Sequence, residues 1–477
     1  MASIDRLTAL PDDIISHILS LLPFKTSVST GALSARWRRL WTYAPNIQLT
    51  EESQLLNFII DSIPESNPYH EQFVDVLTKI LSQFESHSMN TLRLKMFYFD
   101  EHELEARLES VFARNVKTLD LTLRYGSVII RLFDEGPRFD LRLNLFDIKL
   151  NNGTSKTLVD LRLNLFFVKI KIGTVCLPAL KRLYLGGVTL DGTLDNLLFC
   201  CPVLEEFTAY YIFIQCDANV VSHCISSSTM KRLVFNCEFP YKLKIDTPAL
   251  NYLLLRYEIP HNFSVGSMDF LVEAHIDVGL IKVRDLTPVG LNIKFHNLTK
   301  LRVEGYCRFI SYIVEKANKL EALNVIHYHE PECEMEPVQL PMANSIMKLH
   351  NLIKLELQVD WWFLTYFLDK ADKLKVLTIR SKGYNNRKRW LAAPLQVPNC
   401  LSSHLKIVTI HELEGTEHEL DMVRYLLKNA KVLERMELHC LAESIRRISS
   451  FDRGSEKCEI VFHEYLDSGI RDEDLGF

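Results

Sequence analysis

Apolar residues recur through most of this chain as L-x-x-L-x-L or a close variant. Copies stand at Met89–Leu94, Val116–Leu121, Leu158–Leu163, Leu180–Leu185, Leu204–Ala209, Met230–Phe235 and Leu250–Leu255. They continue at Leu271–Ile276, Leu298–Val303, Leu320–Val325, Leu352–Leu357, Leu374–Ile379, Leu405–Ile410 and Leu433–Leu438, and a weaker copy opens at Arg138. Successive starts lie mostly 20 to 28 residues apart, with two longer steps of 32 and 31. Asp140–Phe146 and Asp160–Phe166 are the same heptapeptide. Alternation of apolar and polar residues predicts a strand with one face inward and one outward. A single unit cannot bury its leucines, whereas stacked neighbours can, and a period in this range predicts a curved solenoid with parallel strands on its concave face. The residue between the last two apolar positions then points outward. Asp120, Arg162, Tyr184, Arg302 and Glu356 are such residues. Their chemical variety suits reading a partner rather than running a reaction, and Arg162, Tyr184, Arg302 and Glu356 are the candidate target-binding residues.

The first forty-odd residues follow another pattern. Pro11 suits the start of a helix, where its missing N–H costs nothing. Asp12 and Asp13 then fall in the first turn, where negative charge suits the helix dipole. Ile14, Ile15, Ile18, Leu19 and Leu22 form an apolar face at helical spacing, and Pro23 ends the helix. A second helix is predicted over Ser27–Ala32. Ser34 can cap a third that carries Trp37, Leu40 and Trp41 among Arg36, Arg38 and Arg39. So much apolar surface on so short a segment exceeds what it can bury by itself, which implies docking onto another protein.

Leu10-Pro11-Asp12-Asp13 with its apolar helix, then Leu22-Pro23-Phe24-Lys25-Thr26, then Ser34-x-Arg36-Trp37-x-x-Leu40-Trp41 closely resembles a plant-type F-box. The resemblance implies binding of a Skp-type adaptor, and through it a cullin and a RING protein. Leu10, Pro11, Ile14, Ile18, Leu22 and Trp37 match the adaptor-facing or motif-defining positions. The repeats lack a regular asparagine and resemble the divergent leucine-rich repeats that follow plant F-boxes. Near the end, Val397-Pro398-Asn399-Cys400-Leu401 leads into the strand Leu405–Ile410. Gly415 then turns the chain, and Thr416 with Glu419 makes a capping box. Leu420, Val423, Leu426, Leu427 and Ala430 form the buried stripe of the helix that follows. This β-α-β unit resembles the FBD module that ends many plant F-box proteins, and is expected to seal the last repeat.

The expected fold is therefore α/β: a three-helix F-box, an irregular leucine-rich-repeat solenoid and a β-α-β FBD cap. The expected boundaries are 4–48 for the F-box, 49–88 for a helical linker, 89–394 for the repeats and 395–470 for the FBD module. Within the linker, Pro64, Asn67 and Pro68 suggest a loop, whereas Val76, Leu77, Ile80, Leu81 and Phe84 suggest a helix.

Composition narrows the function. The net charge of −5 over 477 residues creates no global field for nucleic acid or membrane. No apolar stretch of about 18 residues occurs, so no membrane span is expected. No secretory leader is expected either. Eleven cysteines without a C-x-x-C pair read as reduced thiols in the cytoplasm or nucleus. No phosphate-binding glycine loop, nucleophile elbow or H-E-x-x-H motif is present. The expected role is non-catalytic, with no cofactor: a substrate receptor of an SCF-type ubiquitin ligase that holds an unknown protein target. The alternative is a non-degradative adaptor-binding scaffold or a small-molecule sensor. Two segments in the longer steps carry other chemistry. His327, His329, Glu330, Glu332, Cys333, Glu334 and Glu336 could ligate metal, but structural zinc takes a cleaner spacing, so a solvated acidic loop is favoured and no metal is assigned. The basic run from Arg380 to Arg389 reads as a solvated loop, with nuclear import or an anion site as alternatives.

Overall fold

The computed structural model describes residues 10–43, 46–50, 68–83, 89–96, 114–123, 144–147, 156–165, 168–171, 176–191, 193–215, 222–237, 242–257, 264–277, 295–328, 349–358, 361–380 and 396–464. The chain forms two compact units, Met1–Thr247 and Pro248–Phe477. Most of the acidic segment from His329 and the basic segment after Arg380 lie outside the described residues, as do the weaker repeat at Arg138 and the linker residues Pro64 and Asn67.

The first unit opens with short helices at Asp12–Ser20, Phe24–Ser29 and Trp37–Leu40, with single 3-10 turns at Thr30–Ala32 and Trp41–Tyr43. Pro11 and Pro23 each stand immediately ahead of a helix. Proline fixes φ near its helical value and has no N–H to satisfy there. The second helix therefore begins three residues earlier than the Ser27 expected from the pattern, because Pro23 starts it rather than ending the first. Ser34 Oγ accepts the Trp37 N–H at 3.3 Å. Arg36 ties the third helix to the start of the first, donating to Asp12 Oδ1 at 2.7 Å and to the Leu10 carbonyl at 2.6 Å. A longer helix, Pro68–Gln83, buries Leu77 and Leu81.

Seven parallel strands follow one another among the described residues of this unit: Asn46–Thr50, Thr91–Met96, Thr118–Leu123, Asp160–Asn164, Arg182–Gly186, Glu206–Tyr210 and Arg232–Cys237. All but the first begin at the third residue of an L-x-x-L-x-L copy. The leading apolar residues Met89, Val116, Leu158, Leu180, Leu204 and Met230 are buried, as are the apolar residues within the strands. One backbone acceptor recurs from step to step after the first. The Lys117 carbonyl takes N–H bonds from Val159 and Asp160, the Val159 carbonyl from Lys181 and Arg182, and the Lys181 carbonyl from Glu205 and Glu206. Short strands Asn144–Asp147, Val168–Lys171, Thr189–Asp191 and Phe213–Gln215 form a second parallel ladder in the connecting segments. Another pair joins Ser222–Ser226 to Lys242–Asp246. These strands are not marked by the leucine pattern.

The second unit has nine parallel strands among its described residues. They are Tyr252–Tyr257, Glu273–Asp277, Lys300–Gly305, Ala322–His327, Lys354–Gln358, Val376–Arg380, Ile407–Leu413, Arg435–Cys440 and Glu459–Glu464. The same doubly accepting carbonyl recurs at Asn251, Val272, Thr299, Glu321, Ile353, Lys375 and Lys406. Helices occupy several connections here: Cys307–Glu315, Trp361–Lys370, Asn399–Ser403, Glu417–Asn429 and Ala442–Ser449. The helix Glu417–Asn429 opens with a capping box, its Thr416 Oγ1 accepting the Glu419 N–H at 3.4 Å. Glu419 is fully buried, and its carboxylate accepts N–H bonds from Gly415 at 2.8 Å and Thr416 at 3.0 Å. Gly415 holds φ at 86°, a left-handed value that favours glycine, and a side chain there would meet Ser444.

Three substitutions test this packing and capping. Leu323→Ala removes a side chain that is 2% exposed at the centre of the second ladder; urea denaturation is expected to show a loss of about 2–5 kcal/mol. Thr416→Ala is expected to cost about 1 kcal/mol. Glu419→Ala is expected to cost more, about 2–3 kcal/mol, because it empties a fully buried side-chain site and leaves two backbone donors of a part-buried turn without their acceptor.

Candidate functional site

The first helix carries more apolar surface than its own unit uses. At about 100° per residue, Leu21, Ile14, Ile18, Leu22, Ile15 and Leu19 cover roughly 160° of arc. Ile15 and Leu19 are buried at one side of that arc. Ile14 is 44% exposed, Leu21 73% and Leu22 37%, with Ile18 half-buried beside them. The single face expected from the pattern is thus two adjacent stripes, one packing inward and one open. Leu10 is half-buried and Pro11 exposed at the start of the same helix. Leu33, 68% exposed, adds apolar surface from the turn that precedes the third helix. Trp37 departs from the expectation for an adaptor-facing residue. It is 5% exposed and, with Leu40 and Trp41, fills the interior of the helical segment, where Phe24 meets Trp41 edge-on at 6.1 Å.

The outward strand positions form a second surface. In the first unit, Asp120, Arg162, Tyr184 and Thr208 stand side by side in register. The Arg162 guanidinium lies 4.0 Å from the Tyr184 ring centroid, a cation–π contact. Tyr210 sits 6.0 Å from Tyr184 across the next strand. Burial raises the Tyr184 hydroxyl pKa above its ordinary value despite Arg162, so the tyrosine stays neutral beside the guanidinium.

In the second unit the equivalent row runs His275, Arg302, Asn324, Glu356. Arg302 and Glu356 line a shallow depression of about 230 Å3 together with His275, Lys300, Asn324 and Lys354. Beside it lie two buried carboxylates. Asp277 receives Arg256 Nε at 2.6 Å, and Glu304 Oε1 takes bonds from His275 Nε2 and Arg302 Nε, each at 2.8 Å. The Tyr328 hydroxyl reaches both carboxylates, 2.9 Å from Asp277 Oδ1 and 3.1 Å from Glu304 Oε2. Burial would push the Glu304 carboxyl up, but the hydrogen bond from His275 and the positive charge of Arg302 outweigh it and bring the group to about 2. Burial and the two anions push the Tyr328 hydroxyl pKa well above its ordinary value. Its single proton therefore bridges them throughout the neutral range. Glu356 is held from the next strand by Arg380 at 2.9 Å.

Arg302 and Glu356 therefore lie on one face, as do Arg162 with Tyr184 in the other unit. The pattern did not single out Arg256, Asp277, Glu304 or Tyr328, because the first three stand two positions beyond the outward residue of their repeats and Tyr328 four, spread over several repeats. It also passed over His411, His439 and His463, which stack on neighbouring strands with centroids 4.5 Å apart. Burial and neighbouring positive groups hold His411 and His439 below the ordinary imidazole range. Among the described residues no group of His, Cys, Asp and Glu is arranged to hold a metal ion, and no helix is long and apolar enough to cross a membrane.

Two family models match stretches of this chain. The F-box domain family model matches residues 7–48, which contain the helices with the open apolar stripe. The FBD family model matches residues 393–438, which contain the capping box and the strand on either side of its helix. An FBD-associated F-box protein of Arabidopsis thaliana is 25% identical over 96% of this chain and all of its own length. An F-box/FBD/LRR-repeat protein of the same plant is 24% identical over 96% of this chain and 93% of that protein. An F-box/LRR-repeat protein, also from Arabidopsis thaliana, reaches 33% identity over 78% of this chain and 91% of its own length. With an F-box match at residues 7–48, an FBD match at 393–438 and a relative of 33% identity covered over 91% of its own length, the chain belongs to the F-box/FBD/LRR-repeat protein family.

Proposed function

We propose that this chain is the substrate-receptor subunit of an SCF-type cullin–RING E3 ubiquitin ligase. The open half of the first helix's apolar arc carries the reading: Ile14, Ile18 and Leu22, with Leu10 and Pro11 at the helix start, present an apolar edge of the kind that seats in a partner's groove. The occupant is a Skp-type adaptor, which links the chain to cullin and RING protein. Trp37 serves this surface from below, by fixing the third helix, and Arg36 holds the third helix against Leu10. The helices act as the three-helix F-box, residues 4–48, joined by the linker 49–88 to the repeats 89–394. The FBD module, 395–470, works as the β-α-β cap of the ladder.

The outward strand residues Arg162, Tyr184, Arg302 and Glu356 read a protein target. In this role the chain carries out no bond chemistry itself. It raises the local concentration of target lysines near the ubiquitin-charged enzyme. A cytoplasmic or nuclear location fits cysteines that form no permanent disulfide.

Mixing purified full-length chain with a Skp-type adaptor tests the reading, and absence of a complex at micromolar concentrations would overturn it. The double variant Leu10→Ala/Pro11→Ala is expected to weaken the complex by about 2–4 kcal/mol in calorimetry, as truncated interface anchors do, with no change in far-ultraviolet circular dichroism. Normal binding by that variant would show that these two residues are not anchors.

The carboxylate network gives a second outcome, for the shape of the target-reading face. Tyr328→Phe removes the proton shared by two buried carboxylates and is expected to cost on the order of 1–3 kcal/mol at pH 7. Because the Glu304 carboxyl is depressed in the folded state, its contribution is fully present above the unfolded pKa, about 4.3. It is lost as pH falls toward about 2. Thermal denaturation of wild type against Glu304→Gln between pH 6 and 2 is expected to show the difference between them shrinking over that window.

A further inference from the structure

Successive repeats place equivalent residues side by side, and at one step both are cysteines. Leu177 N–H belongs to the turn that leads to Leu180, and Cys201 to the turn that leads to Leu204; Leu180 N–H donates to the Leu177 carbonyl and Leu204 N–H to the Cys201 carbonyl, each at 3.1 Å. Cys176 and Cys200 immediately precede these matched positions. The two turns are also joined directly, Leu177 N–H donating to the Cys200 carbonyl at 2.7 Å. Neighbouring strands in a sheet lie about 4.7–4.9 Å apart, within the about 4.4–6.8 Å α-carbon separation that a disulfide requires. Burial first, and then the neighbouring Cys176 thiol, raise the Cys200 thiol pKa above its ordinary value. Cys176 is exposed and Cys200 partly so, whereas the adjoining Cys201 is buried.

The geometry points to Cys176 and Cys200 as a reversible dithiol–disulfide site, oxidised by a low-molecular-weight disulfide of the glutathione type. The exposed Cys176 thiolate attacks one sulfur of the small disulfide and releases one small thiol. Cys200 then gives up its proton and displaces the second, so that two protein thiols and one small disulfide become one protein disulfide and two small thiols. Burial pushes the Cys201 thiol up to about 12, which keeps it out of the exchange. The new bond encloses one complete repeat, with the strand Arg182–Gly186 and the helix Leu194–Phe199 inside the loop. In a reducing compartment such a pair responds to the redox poise rather than staying permanently closed. The inference does not depend on adaptor binding.

Full-length protein titrated with oxidised glutathione, alkylated and mapped by mass spectrometry is expected to yield one peptide pair joined through Cys176 and Cys200, with loss of two hydrogens. Dithiothreitol is expected to reverse it. The joined pair should vanish in Cys176→Ser and Cys200→Ser and persist in Cys201→Ser. The oxidised wild type should melt at a higher temperature than the reduced form, and Cys176→Ser, altered only at an exposed side chain, should lose that difference. A stable glutathione adduct on Cys176 with Cys200 still open to alkylation would overturn the inference, as would a bond between any other pair.

Discussion

Each repeat depends on its neighbour for the burial of its own leucines. Fully burying a leucine contributes about 1.5–3 kcal/mol, but one strand and its turn have nothing to bury it against. The next repeat supplies both the apolar surface and two N–H groups for the preceding carbonyl, as at Lys117, Val159 and Lys181 in one unit and at Val272, Thr299 and Glu321 in the other. Spacing, register and strand direction are therefore set by one step applied again and again. That explains why the connecting segments can be strands at some steps and helices at others without disturbing the ladder.

The same constraint frees the outward positions. A residue such as Arg162 or Glu356 is flanked by buried neighbours yet has no duty toward the core, so its chemistry can serve recognition. Where the row does turn inward, at Asp277 and Glu304, the cost of burying charge is met by Arg256, His275, Arg302 and Tyr328 from neighbouring strands. The result is a fully paired polar block beside an open, mixed-charge depression.

At the other end the balance differs. Three short helices cannot bury an apolar arc of about 160° among themselves. They use the side bearing Ile15 and Leu19, together with Trp37 and Trp41, to hold together, and leave the side bearing Ile14, Leu21 and Leu22 outward. Arg36, bonded to Asp12 and Leu10, fixes the junction at which that open stripe begins.

The sequence by itself determined the repeat ladder, since every clear L-x-x-L-x-L copy carries a strand beginning at its third residue, and it determined the capping box at Thr416 and Glu419. Both are local: an apolar alternation or a hydroxyl three residues from a carboxylate says the same thing wherever it occurs. Only the tertiary structure decided which half of the first helix faces inward, because Ile14 and Ile15 are chemically alike and differ only by about 100° of rotation. It likewise decided that Trp37 packs inside, that Asn46–Thr50 and Glu459–Glu464 extend the ladders without a leucine motif, and that Arg256, Asp277, Glu304 and Tyr328 meet. Those outcomes depend on contacts between residues far apart in the chain, which no local pattern encodes.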